Sequence, residues 1–155
     1  MKPVTATVTV PQPRAEVYDF LDVLANHEQF TDHFLVDWEL SGPVAGVGAK
    51  ARMRVKSPGP DDWIDMTVIS GERPRTTTEE SIGAKGRRRT RGTYTLEELP
   101  GGGTHITFEL QWLEAPLSER LMAPITRSVV SRANAKSLRR LVDVLAGKRE
   151  KEGTR

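Results

Sequence analysis

The chain has 155 residues with 23 Lys and Arg against 21 Asp and Glu, a formal net charge of +2, and that length suits one domain with one sizeable core. Hydrophobic residues make up 37% and charged residues 28%, too apolar for a disordered chain, while no run approaches the roughly 20 apolar residues of a membrane span. There is no cysteine, which excludes disulfides, thiolate catalysis and cysteine-bound metal and, with no apolar signal core in residues 1–8, leads us to expect a cytoplasmic protein.

Val4, Ala6, Val8 and Val10 alternate with Thr5, Thr7 and Thr9, so the chain opens on a half-buried strand. Pro11 ends it. Pro13 suits the first turn of a helix carrying Val17, Phe20, Leu21 and Leu24 at helical spacing, and residues 26–30 add a second short helix or turn.

Four strand-like runs follow. In the first, Phe34, Val36, Trp38 and Leu40 share one face and Asp37 and Glu39 the other. Beyond turns at 41–43 and 46–48, Ala51, Met53 and Val55 alternate with Arg52, Arg54 and Lys56. After a turn at 57–62, Ile64, Met66 and Val68 alternate with Asp65 and Thr67, and residues 76–82 form a weaker, polar strand. Past a turn at 83–86, Thr90, Gly92, Tyr94 and Leu96 oppose Arg89, Arg91, Thr93, Thr95 and Glu97. A hairpin at 100–103 leads to the cleanest strand, where Ile106, Phe108, Leu110 and Trp112 alternate with Thr107, Glu109 and Gln111.

From Leu117 the period changes to 3.6. Leu121, Ile125, Val129, Leu138, Leu141, Val142 and Leu145 trace a stripe along a long helix, with Pro124 marking a kink or a delayed start and Gly147 a stop. Residues 148–155 carry no apolar side chain and are expected to be a disordered polar tail, leaving 1–147 as the domain. The order predicts an α+β fold, a curved antiparallel sheet of about seven strands around the long C-terminal helix, with two short helices after the first strand. So large an apolar inner surface against one helix leaves room for a cavity.

The motifs that accompany this order are Val8-Thr9-Val10-Pro11 before 13–21, Gly46-Val47-Gly48-Ala49-Lys50, Glu72-Arg73-Pro74-Arg75, Gly92-Thr93-Tyr94-Thr95-Leu96 and Gly103-Thr104-His105-Ile106-Thr107. With the closing helix, they resemble the START-like helix-grip superfamily, also called SRPBCC, and within it the polyketide cyclase/dehydrase-type proteins, over about residues 3–147. The resemblance implies the helix-grip fold and a deep hydrophobic pocket between sheet and helix. Its members include lipid and hormone binders and polyketide aromatase/cyclases, and it carries no universal catalytic residue.

Alternation predicts an inward set of Phe34, Val36, Trp38, Met53, Ile64, Met66, Val68, Tyr94, Phe108, Leu110 and Trp112, faced by Ile125 and Val129 from the helix. The same residues would also fill a core without a cavity. Aromatic and methionine side chains favour an adaptable binding wall.

Arg88 shares parity with Tyr94, so its guanidinium either points inward and needs a carboxylate, with Glu80 as the nearest mate, or lies solvated at the sheet edge. Lys85, Arg87, Arg88, Arg89 and Arg91 crowd one hairpin. They are read as balanced by Glu79, Glu80, Glu97 and Glu98, with an anion or membrane contact as the alternative. No aromatic interrupts the run, so no nucleic-acid partner is expected. His27 and His33 lack metal spacing, and His105 faces outward, so no metal or other cofactor is expected.

The leading reading is binding of a hydrophobic small molecule, a lipid or a polyketide-like or aromatic metabolite, by Trp38, Met53, Met66, Arg88, Tyr94, Phe108, Trp112, Ile125, Val129 and Arg132, in a monomer or homodimer. A cyclase/dehydrase-like enzyme is the alternative, needing a base and an enolate donor from Tyr94, Arg88, Glu80 or Arg132, with Asn134 a weaker candidate. A third reading is an interaction module that uses the basic hairpin. Convergent polar groups with a shifted pKa would favour the enzyme, a dry pocket carriage, and a collapsed one the interaction module.

Overall fold

In the computed structural model, which describes residues 1–147, the Thr/Val run forms β1 (Val4–Val10), and the strand it pairs with comes near the end of the chain. Helix α1 (Arg14–Leu21), a 3-10 turn at Leu24–Asn26 and α2 (Glu28–Thr31) follow it. Then come β2 (Leu35–Ser41), β3 (Lys50–Val55), β4 (Trp63–Glu72), β5 (Thr76–Gly83), β6 (Arg88–Glu98) and β7 (Thr104–Glu114), with a 3-10 turn at Ala84–Gly86. Helices α3 (Leu117–Leu121) and α4 (Ala123–Leu145) close the domain. The tail expected over 148–155 lies outside the described residues.

The strands make one curved antiparallel sheet in the order β1-β7-β6-β5-β4-β3-β2, so the expected α+β helix-grip architecture is the one observed. Short turns join sequence neighbours from β2 to β7, and β1 closes the row against β7 with Val8 opposite Ile106. Pro124 sits in the first turn of α4, after the non-helical Met122, and so delays that helix without kinking it.

The core divides in two. Val17, Leu21, Phe30, Ile106, Leu138 and Leu141 form one cluster where α1 and the C-terminal half of α4 cover β1, β6 and β7. Each such side chain contributes about 1.5–3 kcal/mol by leaving water. Leu24, Leu35, Ala51, Met53 and Met66 form the second, under β2, β3 and β4. Met53, fully buried in that cluster, packs away from the space between the clusters.

Strand β2 departs from strict alternation. Asp37 takes a left-handed φ of 57°, and the register slips between Val36 and Glu39, inserting one residue opposite β3. Ahead of the bulge Leu35 faces inward in place of the expected Val36, beyond it Trp38 faces inward as expected, and Leu40, opposite the buried Ala51, is left 52% exposed.

Candidate functional site

The C-terminal half of α4 packs onto the sheet through Leu138, Leu141 and Val144. Its N-terminal half stands off, and between it and β4–β7 lies a cavity of about 580 Å³. Among the residues expected there, Trp38, Met66, Arg88, Tyr94, Phe108, Trp112, Ile125 and Val129 line it. Met53 and Arg132 do not: Met53 is wholly enclosed by its neighbours in the second cluster and has no exposed surface, and Arg132 lies off the helix stripe that runs through Val129, Ala133 and Ser137 and is exposed to solvent. Ile125 and Val129 are 58% and 62% exposed, which places them at the mouth.

The inner wall is largely apolar, with uncharged polar side chains at His27, Ser81, Thr90, Tyr94, Asn134 and Ser137 and one buried carboxyl. On β5 the inward positions are Thr77, Glu79 and Ser81, because Glu79 lies opposite Gly92 and Thr77 opposite Tyr94 in the β5–β6 pair. Glu79 is 8% exposed, and no hydrogen bond or ion pair engages its carboxyl among the described residues. Burial pushes its pKa up to about 8, so the neutral acid predominates at pH 7. The Tyr94 phenol, raised well above its usual value by burial and then by the charge of Glu79, also lines the cavity. A side chain at Gly92 would meet both walls: its Cβ would stand 2.8 Å from the Phe108 ring and 3.3 Å from Glu79 Oε1.

His27 is buried with its ring edge-on to Tyr94, centroids 5.8 Å apart. Its Nε2 lies 2.7 Å from the Leu21 carbonyl, an atom that only accepts, so Nε2 carries the proton. Burial lowers its pKa to about 4 and keeps the imidazole neutral. His33 is a structural link between α2 and α4, donating from Nε2 to the Ala133 carbonyl at 3.0 Å and accepting at Nδ1 from Arg140 at 2.7 Å. His105 stays on the outer side of β7, opposite Thr9 and Glu97.

At the mouth, Arg88 points inward from the start of β6 and joins three elements. Its Nη1 donates to Asp62 Oδ2 at 2.8 Å and its Nη2 to Glu119 Oε2 at 2.8 Å, with Nε 3.0 Å from Glu119 Oε1. Asp62 in turn accepts from the Ala84 amide at 2.9 Å. The guanidinium thus ties α3 to the β3–β4 loop and to β6 across the rim, and its side chain is 20% exposed. Glu80 is not its mate. Glu80 faces outward, where Arg91 directly opposite donates to it at 2.7 Å. Arg89 approaches Glu80 and Glu114 at 4.0 Å and 3.9 Å, so acids within the chain answer most of the basic run. Those acids are Asp62, Glu80, Glu114 and Glu119 rather than Glu97 and Glu98.

Sequence reasoning missed Glu79 and the two carboxylates that hold Arg88. The signal for Glu79 was present: with the turn fixed at 84–86, Gly83 pairs with Arg88, and inward even positions on β6 require inward odd positions on β5. Asp62 and Glu119 sit in a loop and a five-residue helix, where no periodicity operates. No group of three metal-ligating side chains occurs among the described residues. No helix in that range is long and apolar enough to cross a membrane.

A family model described as polyketide cyclase / dehydrase and lipid transport matches residues 1–146. No curated protein matches the chain. Among solved structures, TTHA0849 from Thermus thermophilus is similar with a TM-score of 0.74 at 17% identity, covering 94% of this chain and 99% of that one. CV1439 from Chromobacterium violaceum is similar with a TM-score of 0.67 at 16% identity, covering 92% and 96%. DynU16, a protein of the dynemicin biosynthetic locus, is similar with a TM-score of 0.65 at 20% identity; the match covers 94% of this chain but 48% of DynU16. At these identities the likeness to solved structures is one of fold.

Proposed function

The chain belongs to the polyketide cyclase/dehydrase and lipid transport family, and from that premise we propose that its cavity binds an apolar small molecule of lipid, polyketide-like or aromatic type. The observation that carries this reading is the cavity itself: about 580 Å³, bounded by Trp38, Phe108, Trp112 and the half-covered Ile125 and Val129. That volume is typical of a small-molecule site, and displacing water from such a wall favours binding by about 25 cal/mol for each Å² of apolar surface covered. A cytoplasmic setting, as expected from the sequence, is part of this proposal. The interaction-module reading has less support, since the cavity is open and Arg88, Arg89 and Arg91 of the basic hairpin are matched by acids of the same chain. The test is native mass spectrometry of the purified chain with organic extraction of its contents, together with titration by a neutral apolar dye. A co-purifying apolar molecule or saturable dye binding supports the reading; an empty chain that leaves the dye unenhanced overturns it.

One observation favours a second reading, acid–base chemistry on the bound molecule. Glu79 and Tyr94 are both unpaired by hydrogen bonds among the described residues and line the same cavity. In a cyclisation or dehydration of the cyclase/dehydrase type, the ionised fraction of Glu79 would take a proton from the carbon next to a carbonyl, and Tyr94 O–H would donate to the enolate oxygen. Solvent deuterium exchange into the α-carbon of a bound ketone, lost in Glu79→Gln, tests it; no exchange above the background rate leaves binding as the function.

A further inference from the structure

Within the binding role proposed above, on which this inference rests, we propose that Glu79 is the polar anchor of the site: it donates a hydrogen bond to an oxygen of an uncharged ligand and makes the cavity refuse carboxylates. The geometry is that of one acid set into a largely apolar wall, in which the buried Asn134 Nδ2 is likewise without a hydrogen-bond partner. The carboxyl of Glu79 stands opposite Gly92 beside the Phe108 ring, inside the cavity, and no partner engages it among the described residues. A buried polar group without a partner costs free energy, so it marks a place where a partner is to arrive.

The chemistry of the surroundings selects which partner. The other titratable groups lining the cavity are His27, Lys56, Asp62, Arg88, Tyr94 and Glu119. Arg88 is already held between Asp62 and Glu119, two acids to one base, so that cluster presents no free positive charge to the interior. His27 is neutral and donates to Leu21. From α4 come only the uncharged Asn134 and Ser137 as polar groups in the deeper part, and from β7 Phe108 and Leu110. Lys56 lies exposed to solvent just past the end of β3, so a ligand carboxylate seated beside Glu79 in the deeper part would find no cation there to meet it. An ammonium would find a counter-charge only once Glu79 had released its proton to water, and it would have to shed its own hydration. A ketone, quinone or ester oxygen needs neither, because it accepts from the protonated acid as it stands.

The experiment uses the full chain and a neutral fluorescent reporter, N-phenyl-1-naphthylamine, displaced by four C10 probes: decane, 2-decanone, decanoate and decylammonium. At pH 6.5, 2-decanone should bind best, ahead of decane by about three- to tenfold, the worth of one net hydrogen bond. Decanoate should be the weakest of the four. Glu79→Leu should abolish the advantage of the ketone over decane while still binding the reporter, and Glu79→Gln, whose amide also donates, should keep it. At pH 9.5 the ketone should lose its advantage in the native chain but not in Glu79→Gln, because ionisation removes the donor from one and not from the other. Four probes that bind alike, a Glu79→Leu variant that keeps the ketone preference, or decanoate or decylammonium as the tightest probe would each overturn the anchor role. Failure of the reporter itself to bind would instead bring down the cavity reading, and the anchor with it.

Discussion

Gly92 stands directly opposite Glu79 across the β5–β6 pair, and the space a side chain would occupy at Gly92 is filled by the Phe108 ring and the Glu79 carboxyl. The absent side chain thus brings a buried acid and an aromatic face together in one wall. Tyr94, two residues on, packs against Phe108 with ring centroids 4.5 Å apart, so the same strand sets both the gap and its border. The polar spot of the cavity therefore depends on backbone pairing and not on any flexible loop.

Gly92→Ala should consequently be costly at a position where the backbone itself tolerates alanine. Its Cβ would stand 2.8 Å and 2.9 Å from two Phe108 ring atoms, so the ring must move into the cavity. Overpacking of this kind destabilises by about 1–3 kcal/mol. Chemical denaturation should show that loss, with weaker reporter binding alongside it. An unchanged midpoint with unchanged binding would mean that the ring yields freely and that the wall is softer than its packing implies.

Stability should also follow pH in a way that two buried groups dictate. Glu79, raised from 4.5 to about 8, keeps in the folded chain a proton that the unfolded chain releases, so its share of stability falls as pH climbs through that window. His27, lowered from 6.5 to about 4, refuses a proton that the unfolded chain accepts, so its share falls as pH drops through its own window. Between about pH 4.5 and 6.5 the two slopes cancel. From pH 6.5 to 8 only the Glu79 slope remains, a loss of about 2 kcal/mol. Urea denaturation across this range should show that decline, and Glu79→Gln should remove it and expose the rise due to His27 between pH 4 and 6.5. A decline that persists in Glu79→Gln would assign it to another group.

How much of this could be read from the sequence depends on which physical signal each residue carries. The seven strands and the closing helix were legible because period-two and 3.6-residue patterns are repeated over many positions, and Val4 to Val10 or Ile106 to Trp112 leave no other reading. The bulge at Asp37 was not: nothing in 34–40 marks the inserted residue, and one insertion gives the two ends of the strand opposite parities, so that Leu35 is inward ahead of it and Trp38 beyond it. Glu79 was misjudged as Glu80 by one position in a strand too polar to show its faces, although pairing with β6 fixes them. The partners of Arg88 come from a loop and a single helical turn, where only three-dimensional closure brings Asp62 and Glu119 together.

That closure is itself testable. Arg88→Met should leave Asp62 and Glu119 facing each other about one fifth exposed, and the loss should be about 2–3 kcal/mol, less than for a fully buried pair because water still reaches the rim. The local effect should exceed the global one. Amide hydrogen exchange in Leu117–Leu121 should quicken, since the guanidinium is what ties that helix to β6 and to the 57–62 loop. Arg88→Lys should restore little of the protection, because an ammonium cannot bridge two carboxylates with the guanidinium's fixed fork. Exchange that stays slow in Arg88→Met would show that the Thr126 hydroxyl, which donates to the Glu119 carbonyl at 3.2 Å, and α3's own backbone bonds hold the rim without it.

Trp112 separates a cavity wall from a filled core. The sequence offers two outcomes for Trp112→Ala, a full core loss of about 3–5 kcal/mol or a loss of binding at small cost in stability. The geometry selects the second. Trp112 sits opposite Thr90 on β7 with its ring half-buried, and one side faces the cavity. Removing it vacates few packed contacts, so the expected loss is about 1–2 kcal/mol. The apolar wall it contributes near the mouth disappears, and reporter affinity should fall with it. Phe30→Ala supplies the contrast, for Phe30 is fully buried in the first cluster and does not line the cavity. It should cost the full core value while the remaining folded protein binds the reporter as before. Measured together by denaturation and reporter titration, the two variants should fall on opposite corners, one binding-defective and stable, the other stability-defective and binding. If Trp112→Ala behaves like Phe30→Ala, the space beside Trp112 closes in solution and the mouth must lie elsewhere along α4.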